Sequence, residues 1–500
     1  MLSDNPILDL PQELVIRIAS HLTTVELGSL RRSCKHIERY LFKSFAKEFF
    51  TKRQFLIEHE SLEALLGIAN HPGLSPNLEE VILDTRIFAH SSSTQYARFM
   101  ENRLENGYLS HEILLYTGRA LAMLTESFSK LKCLRSVGIR GSNGHGRDRD
   151  GEQAQWRPWG WSHANSLRDT LTFPPNINYI LPLINSALAH AHAKPAKLEV
   201  LLRGGPLLGR DAFITKDIID FASVLDNLKT VMLKIGKSQI ESNLLHQEDS
   251  KENTRLLYHK PIIGFLHSLK ALEHLRLNFD LWDHRDSVAA PLLGWLGGED
   301  LQHDPSGSKN FIFPTANFKS LTTLEIGSVT VEHTRLLRVL LVHNLKSFAL
   351  WRVGLIPKVK IKKDENCWRQ FLVDLSRQLP KSSNICKILI GHTGQANSSE
   401  GPYNQGYSWV IWKAGANKYN SRHLIDYDSL YSTEDVRTWL TKASDLAYVE
   451  TNDRGSPETS SDADLDDDED LSIDLEEYDD EDDEDDDEDD EEDDDENDDE

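Results

Sequence analysis

The six residues LEHLRL, Leu272–Leu277, place leucines at the first, fourth and sixth positions. This spacing of large apolar residues returns along the chain, in units that begin at Leu78, Leu134, Leu228, Leu272, Leu321, Leu345 and Ile385, with a weaker unit at Leu198. Because the last three positions alternate apolar, variable and apolar, each unit has the period of a strand with one buried face. We therefore predict a short strand in every unit.

Apolar residues at helical spacing precede several of these units, as Leu121, Leu124 and Phe128 precede the unit at Leu134. Alternation of helix and strand implies parallel strands joined by helical crossovers. A repeated version of this arrangement stacks into a solenoid, in which each unit buries the apolar edge of its neighbour. We therefore expect an α/β body.

The units resemble those of a leucine-rich repeat protein of irregular kind. Spacing between units varies from 24 to 64 residues, and the asparagine expected eight positions after each first leucine is replaced by other residues. No asparagine ladder can form. A doubly wound α/β domain is the alternative fold, although no glycine-rich phosphate loop follows any of the units.

Charge is divided unevenly along the 500 residues, whose formal net charge is −26. Residues 455–500 hold 32 of the 81 acidic residues and no lysine or arginine, which leaves 49 acidic and 55 basic residues elsewhere. Such a tail is predicted to be extended and disordered, and either solubilises the protein or binds basic partners. The small, dispersed basic excess of the body argues against nucleic acid as a partner.

The N-terminus carries a separate helical pattern. Pro11 suits the first position of a helix, and Leu14, Ile18 and Leu22 then recur at helical spacing, which predicts that they face inward. Further helix signals are a capping box and two apolar stripes. Thr23 and Glu26 match the capping box. Leu27 and Leu30 form the stripe of the second helix, and the stripe of the third consists of Ile37, Leu41, Phe45 and Phe49. Three short helices are therefore expected within residues 1–50.

About forty residues of helix cannot bury enough apolar surface to be robust alone. Several apolar residues also lie off the predicted inward stripe, namely Leu10, Val15, Ile16 and Val25. These residues therefore need a partner surface. An ordinary helical cap on the body is one explanation, and a docking module for another protein is the other.

The pattern is similar to that of an F-box, the helical module that docks on the Skp adaptor of cullin–RING ubiquitin ligases. The residues that carry the resemblance are Leu10, Pro11, Glu13, Leu14, Ile18, Leu22, Leu27, Leu30, Cys34 and Lys35. Ile37 departs from it, since many F-boxes have an aromatic residue there. By this resemblance the adaptor-binding residues are Leu10, Pro11, Glu13, Leu14, Ile16, Ile18, Leu22, Leu27, Leu30 and Cys34.

The resemblance implies a chain in three parts: an F-box module at 1–50, a leucine-rich-repeat-like substrate-recognition domain at 51–450 and a disordered acidic tail at 451–500. Together with the tail, the chain is similar to fungal F-box proteins. Its partners would be a Skp adaptor, through it a cullin, and an unknown protein substrate, in the cytoplasm, the nucleus or both. The alternative is a scaffold or chaperone that binds basic proteins through the tail.

Outward positions on the strands are candidates for substrate binding. In a solenoid the second and fourth positions after each first leucine face outward on the concave side of the sheet. The predicted residues include His274, Arg276, Thr323, Glu325 and Lys387. Their mixed charge suits a protein ligand better than a phosphate backbone. They are equally well explained as ordinary solvated strand residues.

A second candidate is the polar, glycine-rich segment GSNGHGRDRDGEQAQWRPWGW, Gly141–Trp161. Loops of this length are usually functional or disordered. Its three tryptophans, Trp156, Trp159 and Trp161, would be costly to leave in water, so they either pack back on the body or anchor a partner.

Enzyme and metal motifs are missing from the sequence: there is no GxSxG, no P-loop, no HExxH and no zinc-deaminase pattern. The four cysteines lack the spacing of a zinc site or a disulfide framework. The sequence also shows no secretion signal and no apolar run long enough to cross a bilayer. We therefore expect an intracellular, non-enzymatic protein with no cofactor, no metal site and no membrane association.

Overall fold

A long, mostly parallel β-sheet organises the body of the protein, seen here in a computed structural model. The structure describes residues 6–88, 101–151, 154–159, 171–174, 176–203, 205–214, 221–236, 252–279, 289–299, 316–357, 366–396, 407–412 and 423–449. All of them belong to one compact unit, Met1–Glu450. The acidic tail at 451–500, with its predicted disorder, lies outside the described residues.

The helices and strands in chain order have the following bounds. The helices are α1 Gln12–Ser20, α2 Thr24–Ser33, α3 Lys35–Phe50, α4 His59–Asn70, α5 Glu101–Tyr116, α6 Arg119–Lys130, α7 Ile180–Ala191, α8 Phe221–Leu225, α9 Glu252–His267, α10 Ala289–Leu296, α11 His333–Val342, α12 Cys367–Gln378 and α13 Val436–Leu446. The strands are β1 Lys52–Leu56, β2 Glu80–Asp84, β3 Ile87–Phe88, β4 Ser136–Arg140, β5 Gly144–His145, β6 Gln155–Trp156, β7 Leu171–Thr172, β8 Lys197–Leu201, β9 Thr230–Lys234, β10 His274–Asn278, β11 Thr323–Glu332, β12 Ser347–Ile356, β13 Lys387–Gly391, β14 Gly394–Ala396, β15 Tyr407–Trp412, β16 Leu424–Asp428 and β17 Ala447–Val449.

The strands of the main sheet follow chain order. Their hydrogen-bonded order is β1-β2-β4-β8-β9-β10-β11-β12, with β13 also beside β12. Each of these neighbouring pairs is parallel. A doubly wound sheet reverses its strand order at a switch point. The described strands of this run show no reversal, so the doubly wound alternative is wrong.

Every predicted unit lies on one of these strands, and the units pair in register. The fourth position of each unit falls in one buried column, formed by Val81, Val137, Leu198, Val231, Leu275, Leu324, Phe348 and Ile388. These side chains are at most 2% exposed. Leu198 therefore occupies a fourth position, and the weaker unit begins three residues earlier, at Pro195, not at Leu198 as predicted.

Helices cover the buried face of the sheet in chain order. α4, α6 and α7 pack in sequence, the short 3-10 helix Arg210–Phe213 lies between α7 and α9, and α9 to α13 continue the row. On the other face, residues of β9 and β10 alternate between buried and half-buried positions. Among the described residues the body is thus a mixed α/β structure, with helices on one side of the sheet and half-buried strand residues on the other, which we call the open sheet face. Its assignment to the leucine-rich repeats stays a prediction.

Three left-handed residues bend the sheet at its C-terminal end. Ser328, Arg352 and His392 have φ angles of 51°, 54° and 49°. Each directly follows one of three residues that lie side by side in the ladder, Gly327, Trp351 and Gly391. After this bend β12 pairs with β14 in place of β13. The shared bend thus opens a second branch of the sheet, which β15 and β17 extend.

We expect Ser328→Gly to raise the free energy of unfolding by about 1 kcal/mol. A left-handed backbone costs a residue with a Cβ atom about 1–2 kcal/mol, and glycine avoids that cost. As a matched control, Ser347→Gly lies at an ordinary strand position and should lower the free energy of unfolding by about 0.5–1 kcal/mol. Urea unfolding midpoints of both variants test the difference. Loss of stability in both would show that the bend stores no strain at Ser328.

Candidate functional site

Three helices at the N-terminus form the first candidate surface. α2 begins with a capping box, in which the Thr23 amide donates to Glu26 Oε2 at 3.0 Å and the Glu26 amide donates to Thr23 Oγ1 at 3.4 Å. The hydrogen bonds from Thr23 lower the pKa of the Glu26 carboxyl. The predicted capping box is confirmed, and the second helix starts at Thr24. Pro11 lies one residue before the first helix.

The buried face of α1 differs from the predicted one. Val15 and Ala19 are 2% and 4% exposed, whereas Leu14 and Ile18 are 45% and 49% exposed. The inward assignment of Leu14 and Ile18 is therefore wrong, as is the outward assignment of Val15. Both pairs are spaced four residues apart, so the helical period alone cannot choose between them. Packing against α3 decides in favour of the pair with the smaller side chains.

The other predicted adaptor-binding residues divide between core and surface. Leu27 is buried, and five are half-buried against the core: Leu10, Ile16, Leu22, Leu30 and Cys34. Two are exposed, Pro11 and Glu13. Val25, which was predicted to face outward, is 76% exposed. We call Leu14, Ile18 and Val25 the apolar helix surface, because these large side chains remain available to a partner.

A side chain of the Gly141–Trp161 segment holds the end of the first helix. Arg149 Nη1 donates to the carbonyls of Ala19 and Leu22 at 3.1 and 2.7 Å. Its other nitrogens form a two-point ion pair with Glu48 of α3 at 2.5 and 2.6 Å. A cation at the C-terminal end of a helix also opposes the helix dipole favourably. Arg149 therefore ties α1 to α3 and both helices to the loop.

The next residue of the loop holds the start of the second helix. Asp150 accepts hydrogen bonds from the Thr24 amide at 2.7 Å and from the Thr24 hydroxyl at 2.5 Å. Burial alone would raise the pKa of Asp150, but these bonds and the charges of Arg147 and Arg149 outweigh it, so its pKa is lowered. The Arg147 guanidinium also lies 4.0 Å from the ring centre of Phe49 on α3, a cation–π contact. The loop thus contacts all three helices.

The tryptophans of this segment are only partly described. The Trp159 amide donates to the Gln54 carbonyl at 2.7 Å, and its carbonyl accepts from Ser61 Oγ at 2.7 Å. Trp159 therefore pairs with the β1 edge of the sheet while its side chain stays 41% exposed. The Trp156 side chain and all of Trp161 lie outside the described residues. For Trp159 both predicted roles, packing back and anchoring a partner, remain compatible with the structure.

The second candidate surface is the open face of the sheet. Parallel pairing sets His274 beside Thr323 and Arg276 beside Glu325. Lys387 lies two strands beyond Thr323, in the same row. The structure thus brings the five predicted strand residues onto one face.

Glu325 is the centre of a charged group on this face. His274 Nε2 lies 2.7 Å from Glu325 Oε1, and Arg276 Nε lies 3.5 Å from Glu325 Oε2. Burial alone would raise the pKa of Glu325. The hydrogen bond from His274 and the positive charge of Arg276 outweigh that effect, so the pKa of Glu325 lies below its ordinary value. Glu325 therefore holds a hydrogen bond with His274 and an ion pair with Arg276.

These side chains are less exposed than expected for a freely solvated strand face, since their exposed fractions are 20% for His274, 22% for Arg276 and 14% for Glu325. A second charged group on the same face was missed. Glu199 pairs with Arg140 at 2.7 Å and with Lys197 at 3.4 Å. The sequence KLEVL, Lys197–Leu201, could have revealed this group. Counting the unit from Pro195 makes Lys197 and Glu199 its outward residues, whereas counting from Leu198 does not.

Comparison with known proteins bears on the first surface. Residues 7–41 match the family model of the F-box domain. The chain carries an F-box domain. The match covers α1, α2 and the first turns of α3, and F-box domains bind Skp-type adaptors. The predicted F-box is therefore confirmed.

The remaining comparisons add little. No curated protein matches the chain. A structure titled as the Rad7 and Elc1 complex in yeast is similar to it at 12% sequence identity, over 75% of this chain and 86% of that chain. Its TM-score is 0.23, which is too low to support an argument about this protein.

The part of the chain that the structure describes holds no metal cluster, no membrane-spanning helix and no disulfide. No group of three or more His, Cys, Asp or Glu residues there could hold a metal ion. No helix among the same residues is long and apolar enough to span a bilayer. The four cysteines all lie in described segments, and none of them forms a disulfide.

We expect Arg149→Met to loosen the F-box helices, because two helix-end carbonyls and Glu48 lose a charged donor. Hydrogen bonds to charged groups contribute about 1.5–3 kcal/mol, which corresponds to roughly tenfold or more in local opening. Hydrogen exchange should therefore rise in residues 12–33 and stay unchanged in β11 and β12. Arg17→Met, which removes an exposed arginine of α1, is the control. Equal exchange in both variants would show that the loop does not hold the helices.

Proposed function

We propose that this F-box protein is the substrate-recognition subunit of a Skp–cullin–F-box type ubiquitin ligase. The observation that carries the proposal is the apolar helix surface. Leu14, Ile18 and Val25 stay 45%, 49% and 76% exposed within a domain whose relatives bind Skp-type adaptors. Exposed apolar side chains of this kind are what a partner helix or groove can bury.

The F-box is packed on the body, which supports a role in positioning. Val15, Ala19 and Leu27 belong to the same hydrophobic core as the strands of the sheet. The loop contacts of Arg149 and Asp150 add polar ties between the two regions. A partner bound at the apolar helix surface would therefore keep a defined orientation relative to the open sheet face.

In this proposal the chain contributes proximity and no chemistry, as F-box proteins typically do. The adaptor and a cullin would connect it to the ubiquitin-transfer machinery in the cytoplasm, the nucleus or both. Holding a substrate beside that machinery converts a slow encounter into a tethered reaction with a high effective concentration. The open sheet face, with its alternating charges, is the proposed substrate surface.

We expect the double variant Leu14→Asp with Ile18→Asp to abolish capture of a purified Skp-type adaptor by the full chain. Residues at the centre of an interface commonly contribute about 2 kcal/mol or more each. Both side chains are exposed, so the melting temperature should hardly change, since exposed substitutions usually alter stability by about half a kcal/mol. Calorimetric titration with the adaptor measures the loss of affinity.

The control for this variant is Val342→Asp, which alters a residue of α11 that is 52% exposed. It should bind the adaptor like the wild-type protein. If the wild-type chain captures no Skp-type adaptor, the ligase proposal fails and the scaffold for basic proteins takes its place. If the double variant binds normally, the docking surface lies elsewhere on the protein.

The substrate surface needs a variant that does not simply rearrange an existing ion pair. Reversing Arg276 and Glu325 together would recreate their pair with exchanged signs, so that double change is a poor test. Lys387 is half-buried on the same face, and no ion pair joins it to another described residue. A charge reversal at Lys387 therefore changes the charge of this face without rearranging an existing ion pair.

We expect Lys387→Glu to remove substrate proteins from the co-purified set while adaptor binding stays intact. Like charges that face each other across an interface cost several kcal/mol, so a substrate group that pairs with Lys387 should be repelled by the new carboxylate. Quantitative mass spectrometry of co-purified proteins measures the change. Lys381→Glu makes the same charge change in the turn before β13 and serves as the control. An unchanged set of partners for Lys387→Glu would show that substrates bind elsewhere.

A further inference from the structure

A cavity on the helix side of the protein is used by neither the F-box nor the open sheet face. Its volume is about 650 Å³, and it lies among α5, α6 and α7. Most of its described lining is apolar or aromatic, including Leu115, Leu121 and Leu183. Binding sites for small molecules typically measure about 300–1,000 Å³ and combine apolar walls with a few placed polar groups. The cavity therefore has the size and lining of a ligand site.

A buried hydrogen-bond chain forms one wall of the cavity. His111 Nδ1 lies 2.8 Å from the Ile57 carbonyl, and His111 Nε2 lies 3.1 Å from the Tyr179 hydroxyl. Because a carbonyl can only accept, Nδ1 carries the proton, and burial lowers the pKa of His111, which keeps the ring neutral. The Tyr179 hydroxyl therefore donates to Nε2. Its oxygen keeps a lone pair that can accept a hydrogen bond from a ligand.

The charge and aromatic content of the lining favour a cation. Glu112 is the one charged side chain among the described lining residues, and no hydrogen bond or ion pair joins it to another described residue. Three tyrosines line the same cavity: Tyr108 and Tyr179 are half-buried, whereas Tyr116 is 86% exposed at its rim. Aromatic rings attract organic cations through their negative faces, most strongly where water is excluded. The neutral His111 adds no opposing charge.

We propose that this cavity binds a small organic ammonium ion with an apolar body. The ammonium group would pair with the Glu112 carboxylate and donate to the Tyr179 oxygen, beside the tyrosine rings. The apolar body would lie along Leu115, Leu121 and Leu183. A neutral ligand of the same shape would satisfy the apolar walls and leave Glu112 without a counter-charge.

The test compares two soluble probes that differ in charge, 2-phenylethylammonium and 2-phenylethanol. The full chain should bind the ammonium about tenfold more tightly, since hydrogen bonds to charged groups are the stronger ones. Glu112→Gln should remove this preference by weakening the ammonium about tenfold and leaving the alcohol unchanged. Glu126→Gln, an exposed carboxylate of α6 outside the described lining, should behave like the wild-type protein. Titration calorimetry or ligand-observed NMR gives the affinities.

A second variant ties binding to this cavity. Leu121 is half-buried in the lining, and Leu121→Trp should fill the space and weaken both probes. Retained binding in that variant would place the probes elsewhere and overturn the proposal. Equal affinity for the two probes, an unaltered preference in Glu112→Gln, or no saturable binding of the ammonium in the millimolar range would overturn it as well.

Discussion

The register of the parallel sheet is the constraint on which the rest of the structure depends. One buried column runs from Val81 to Ile388 and uses the same position of every unit. A slip of one residue in any strand would turn its apolar side chains to the open face. Successive side chains of a strand point to opposite faces of the sheet. The register that places this column in the core therefore also aligns His274, Arg276 and Glu325 on the other face.

The F-box gains from the body what its own size cannot supply. Forty residues of helix bury little apolar surface, but Val15, Ala19 and Leu27 extend the core of the body into the helices. The loop after β4 then satisfies helix ends that would otherwise face water or remain unpaired. Packing against α3 covers one side of α1, and the opposite side, with Leu14 and Ile18, stays exposed.

The protein therefore presents three surfaces of different chemistry on one framework. The apolar helix surface suits another protein's apolar groove, and the open sheet face carries paired charges, which we propose a protein substrate contacts. The cavity among α5, α6 and α7 has apolar walls, tyrosines and one carboxylate, Glu112. These surfaces lie on separate elements of one compact unit, Met1–Glu450. A change at one of them can consequently be tested while the others serve as internal controls.

The local signals in the sequence determined the strands of seven of the eight units, the capping box of Thr23 and Glu26, and the F-box pattern, because each depends on residues a few positions apart. The eighth strand was expected, but its unit was placed three residues out of register at Leu198. Tertiary structure alone decided which face of α1 is buried, since Leu14 with Ile18 has the same spacing as Val15 with Ala19. It also brought Arg149 to helices more than a hundred residues away. Such contacts depend on how the units stack in space, and the spacing of residues a few positions apart in the sequence does not determine that stacking.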